Sequence, residues 1–132
     1  EHLPGGEVTG FIITAPSFGK TDGKPNAIYF SGDTIYLPEL VKMRERFHIS
    51  VALLNTGKAT APLPTGPLQI TLDGAQAARL FRELGADVLV PMHFESWRHF
   101  AEEKSDLRQA LEVGGVMDKV MWLEPGVRTT IV

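Results

Sequence analysis

Apolar positions along the chain follow two rhythms that take turns. Residues 8–14, 27–30, 49–54 and 87–90 are short runs rich in β-branched, aliphatic and aromatic side chains, and each predicts a strand. Residues 37–47, 74–84 and 102–113 place their apolar side chains at helical spacing and predict helices. The turn formers Gly19, Asp22-Gly23 and Pro25 within residues 17–26 join the first two strands into a hairpin. Pro62, Pro64 and Pro67 keep both helix and interior strand out of residues 58–67, which therefore read as a surface loop.

Punctuation sharpens the helices. Pro38 fits the first turn of the first one. Thr71 and Asp73 compete to cap the second, whose Ala77, Ala78, Leu80, Phe81 and Leu84 share a face and whose end is marked by Gly85. The third stops at Gly114-Gly115, and short strands over 120–123 and 127–132 flank the turn at Glu124-Pro125-Gly126. Strands alternating with helices predict α/β layering. No linker, repeat or low-complexity tract divides the chain, so residues 1–132 read as one domain.

Composition narrows the function classes. At 132 residues and 43% hydrophobic content, the chain can bury a sizeable core. A formal net charge of -3 supplies no basic excess for a phosphate backbone or an anionic membrane, which argues against nucleic acid and membrane partners. Without cysteine there is neither a disulfide framework nor a thiolate metal site, so a bound metal would need His and carboxylate ligands, and a cytoplasmic setting is expected. No run approaches the roughly 20 apolar residues that span a bilayer. The opening Glu1-His2-Leu3-Pro4-Gly5-Gly6 lacks the pattern of a signal peptide and an initiator Met, which suggests a truncated chain.

Ligands of open α/β sheets bind beyond the carboxyl ends of the strands, and two such ends here carry metal-capable side chains. Asp33 follows Ile28-Tyr29-Phe30 and a glycine that permits a sharp turn; His93 follows the apolar run ending in Pro91-Met92. Asn55-Thr56-Gly57 ends the strand between them at the same level. Each has a plain structural reading beside this one: Asp33 as a helix cap, His93 as a core histidine. His99 reads as packing or capping, His48 as a cation closing a helix, and Trp97, His99 and Phe100 as a plug at the core edge or the floor of a pocket.

Taken together, Val8-Thr9-Gly10-Phe11, Tyr29-Phe30-Ser31-Gly32-Asp33-Thr34, Leu54-Asn55-Thr56-Gly57 and Val90-Pro91-Met92-His93-Phe94 resemble metallo-β-lactamase-fold proteins, most closely the lactonase-like metal-dependent hydrolases. The resemblance runs to Trp122-Leu123-Glu124-Pro125-Gly126. It implies that the chain is the C-terminal half of an αββα four-layer sandwich, contributing one mixed sheet with helices on one face. It further implies that Asp33 bridges two divalent ions, Zn or Mn, and that His93 binds one of them. The family's His-x-His-x-Asp-His motif is absent from these residues, and His2, followed by Leu3-Pro4 in place of Gly-Pro, is not carried over as a ligand. No catalytic residue beyond the ligands is assigned.

The implied function is metal-dependent hydrolysis of a small-molecule lactone, ester, amide or phosphodiester. With the first motif missing, the isolated chain is expected to bind metal weakly and to be inactive. It is also expected to pair with the N-terminal half of the fold or to self-associate. The competing reading is a non-catalytic α/β binding or oligomerisation module.

Overall fold

The computed structural model describes residues 10–57, 60–61, 64, 68–69, 71–92, 104–123 and 126–130. Strand β1 (Phe11–Thr14) leads through a 3-10 turn at Pro16–Phe18 to β2 (Lys20–Thr21) and β3 (Lys24–Phe30). Asp22 and Gly23 both take positive φ, 51° and 79°, making the two-residue turn that folds β2 onto β3 with the natural strand twist. The expected turn over 17–26 is thus a second, tighter hairpin. Across it, β1 pairs antiparallel with β3 from Phe11 opposite Phe30 to Thr14 opposite Ala27.

Strand β4 (His48–Asn55) runs parallel to β3, and β7 (Val88–Met92) runs parallel to β4. The order β1-β3-β4-β7 makes one mixed sheet, with β2 beside β3. In a separate ribbon of β5 (Thr60–Ala61) and β6 (Leu68–Gln69), β5 lies within the segment 58–67 expected to be plain loop, most of which falls outside the described residues, and β6 follows that segment. Strand β7 continues through Pro91, which the sequence reading placed beyond its end. A proline lacks only the N–H, and β7 has a ladder partner on one side alone apart from a single bridge.

Helix α1 (Gly74–Leu84) has the predicted bounds. Asp73 wins the cap: its Oδ1 accepts the Gln76 N–H at 2.8 Å while Gln76 Oε1 accepts the Asp73 N–H at 3.1 Å, and Gly85 closes the other end at φ 65°. Ala77, Ala78, Leu80, Phe81 and Leu84 pack onto Ala27, Tyr29, Ile49, Ala52, Leu54 and Leu89 of the sheet. Helix α2 (Lys104–Val113) adds Leu107 and Leu111 to that core. Each fully buried leucine contributes about 1.5–3 kcal/mol. The two helices meet over small residues: a Cβ on Gly74 would lie 2.6 Å from the Ala110 Cβ, and one on Gly114 would lie 2.5 Å from the Ala78 Cβ.

Four expectations are corrected. The helix expected over 37–47 is a 3-10 helix, Pro38–Glu45, in which the Leu40 N–H donates to Leu37 O at 3.1 Å. Its apolar stripe is imperfect at a period of 3.6, whereas a three-residue repeat sets Leu40 and Met43 in line against the core. His48 opens β4 and does not close a helix; its Nε2 lies 2.8 Å from Asp87 Oδ2. Residues 120–123 make one bridge, Val120 to Leu89, followed by a Met121 N–H bond to Leu89 O at 2.8 Å. Residues 127–130 are exposed and form no strand.

The helices occupy one face of the sheet. On the other, Phe11, Phe30, Leu53 and Val90 form one cross-strand row, and Ile13, Ile28, Val51 and Val88 form the next. None of these belongs to the core beneath the helices. Val51 on β4 and Val90 on β7 are buried, but Phe11 and Ile13 on β1 are 60% and 49% exposed. Among the described residues, no helix is long and apolar enough to cross a membrane.

Candidate metal centre

Because β3, β4 and β7 are mutually parallel, their carboxyl ends share one edge. Beyond Phe30 the chain leaves β3 through Ser31 and Gly32, the latter at φ 61°, a conformation that brings Asp33 back beside the end of β4. Ser31 is buried and joins the two strand ends. Its N–H donates to Leu53 O at 2.9 Å, its hydroxyl donates to Gly32 O at 2.8 Å, and the same oxygen accepts the Asn55 N–H at 2.9 Å. Thr56 does the same for β4 and β7, with its N–H 2.7 Å and its hydroxyl 3.0 Å from Met92 O. Thr71 then donates to Thr56 O at 3.3 Å. The edge is therefore a rigid shelf of buried polar groups.

On that shelf Asp33 is exposed, and its Oδ1 accepts a hydrogen bond from Asn55 Nδ2 at 2.8 Å. Its Oδ2 has no hydrogen bond among the described residues. The capping reading of Asp33 does not describe this geometry: the following 3-10 helix has Leu37 at its N-cap and no side-chain cap bond. Asn55 is 4% exposed, and its Oδ1 is buried with no partner among the described residues. In the sequence Asn55 reads only as a polar group at this level. The signal for more was a wholly polar side chain closing an apolar strand.

His93, the residue after Met92, lies outside the described residues, as do His2, Trp97, His99 and Phe100. Among the described residues no three His, Asp or Glu side chains gather in one place. A hard, exposed carboxylate with one free oxygen fits a divalent cation, but a single ligand does not hold one tightly. The rest of such a site would come from beyond these residues.

A mixed sheet backed by helices on one face, with an acid standing at its parallel carboxyl edge, places the chain among α/β proteins similar in fold to metal-dependent hydrolases. It superposes on the isothiocyanate hydrolase from Delia radicum gut bacteria with a TM-score of 0.66 and 26% identity, covering 89% of this chain and 42% of that one. The metallo hydrolase Igni18 from Ignicoccus hospitalis gives a TM-score of 0.59 at 30% identity, over 81% of this chain and 41% of that one. Among curated relatives, the UPF0173 metal-dependent hydrolase of Solibacter usitatus is 30% identical over 92% of this chain and 45% of its own length. That of Hyperthermus butylicus is 28% identical over 79% and 41%. No family model matches the chain. The resemblance to metal-dependent hydrolases first seen in the motifs is thus found across most of the sequence and in the fold. The chain spans under half the length of these relatives.

Proposed function

We propose that the chain is the C-terminal half of a metal-dependent hydrolase of the metallo-β-lactamase superfamily, in which Asp33 and His93 are metal ligands. The observation that carries this reading is the Asp33 carboxylate, exposed at the shared carboxyl edge and held there by Asn55 at 2.8 Å. His93 follows β7 in sequence and so is assigned to the same edge. Zn or Mn suits these oxygen and imidazole donors, and bound divalent ions supply a water acidic enough to be hydroxide near neutral pH. In this scheme Asp33 and His93 would hold the metal, and the remaining ligands would come from the N-terminal half.

The substrate is a small molecule with a hydrolysable lactone, ester, amide or phosphodiester bond, and the isothiocyanate carbon is a further electrophile to assay. The N-terminal half is proposed to cover the apolar rows that include the exposed Phe11 and Ile13. Self-association through that face is the substitute when the other half is lacking. A cytoplasmic location fits a cysteine-free sequence.

Metal content and hydrolysis by the protein carrying this chain test the reading. Asp33→Ala and His93→Ala should each lower both, whereas a non-catalytic module would lose neither. Light scattering on the 132-residue chain alone should show association, or weak folding relieved by the N-terminal half. A stable, monodisperse monomer would count against the half-fold.

A further inference from the structure

The two polar atoms of the Asn55 side chain have unequal fates. Its backbone N–H is already satisfied by Ser31 Oγ at 2.9 Å, and its Nδ2 donates to Asp33 Oδ1 at 2.8 Å. An ionised carboxylate can only accept, so the amide must present its NH2 group there, which turns Oδ1 the other way. In that direction Oδ1 is buried without a partner among the described residues. A buried amide kept for packing would ordinarily have both ends satisfied. Within the described residues, the side-chain amide does one thing: it grips a carboxylate that is otherwise exposed.

We infer that Asn55 is a positioning residue for Asp33. By binding Oδ1 it fixes the plane of the carboxylate and leaves Oδ2 for a divalent cation. The inference rests on Asp33 being a metal ligand, as proposed above. An exposed aspartate without this bond would rotate freely about its side-chain torsions and lose that freedom on each binding event. Ligating carboxylates are typically held by such outer partners, whose loss weakens metal binding about 10- to 100-fold.

The experiment uses the protein that carries this chain, with wild type, Asn55→Leu, Asn55→Ala and Asp33→Ala compared. Zinc and manganese affinities are measured by competition with a chelating dye, beside thermal melts of the metal-free proteins. Both Asn55 variants should bind metal about 10- to 100-fold more weakly. Metal-free Asn55→Leu should still fold and melt cooperatively, because it keeps the branching of the side chain and removes the orphaned oxygen, which offsets the cost of its larger methyls. Unchanged affinity in folded Asn55→Leu, with Asp33→Ala still losing metal, overturns the positioning role while leaving Asp33 a ligand. Full metal retention by Asp33→Ala overturns the underlying reading instead. If neither Asn55 variant folds, Asn55 is structural and the inference falls.

Discussion

Ser31 and Asn55 are joined side chain to backbone: the buried Ser31 hydroxyl accepts the Asn55 N–H at 2.9 Å and links the end of β3 to the end of β4. Replacing Ser31 by Ala leaves that N–H buried with no acceptor, a loss of about 1–3 kcal/mol. The midpoint of urea unfolding should fall accordingly, and Ser31→Thr, which keeps the oxygen, should recover part of it. A Ser31→Ala protein as stable as wild type would show that the strand ends are held by the ladder alone.

Helices α1 and α2 depend on missing side chains. A Gly114→Ala methyl would meet the Ala78 Cβ at 2.5 Å, so one helix must shift, at about 1–3 kcal/mol. Ala78→Gly in the same molecule should restore part of the stability, because the two sites share one contact. Additive losses in denaturant titrations would exclude that contact as the cause.

The reciprocal Asp73–Gln76 bonds make α1 start where it does. Asp73→Ala should cost about 0.5–2 kcal/mol, and Asp73→Ser much less, since a hydroxyl still caps. Circular dichroism during thermal unfolding reads both.

Tyr29 sits 3% exposed beneath the helices, and burial pushes its phenol up to about 12 from its usual value of 10. The unfolded phenol ionises first, so the unfolded state binds fewer protons between those values and stability falls as pH rises through that window. Below pH 10 this group contributes no slope. The total loss is about 2–3 kcal/mol by pH 12. Tyr36, raised chiefly by its hydrogen bond to Glu83, acts in the same direction, so Tyr29→Phe should flatten the alkaline limb of a pH–stability curve only in part. An unchanged limb would mean that Tyr29 is not buried as a phenol.

Much of the fold is legible in short stretches of sequence because its causes are short-ranged. Asp73, Gln76 and Gly85 lie within one helix and its caps, and the apolar spacing from Ala77 to Leu84 selects the buried face without reference to any other element. The same holds for the Asp22-Gly23 turn, although its hairpin was expected as a looser one. Segments whose apolar pattern is weak fared differently. The Pro38–Glu45 segment took a 3-10 path set by what it leans on, and Val120 makes an isolated bridge to Leu89 in place of a strand.

The sequence by itself determined the α/β alternation, the bounds of α1, and the placement of Asp33 just after a strand, because each follows from backbone preferences over a few neighbouring residues. Only the tertiary structure decided that Asn55, 22 positions along the chain, would close on the Asp33 carboxylate and leave its own oxygen orphaned. That contact exists because two parallel strands settle into one register, and a register is chosen by the whole packed sheet.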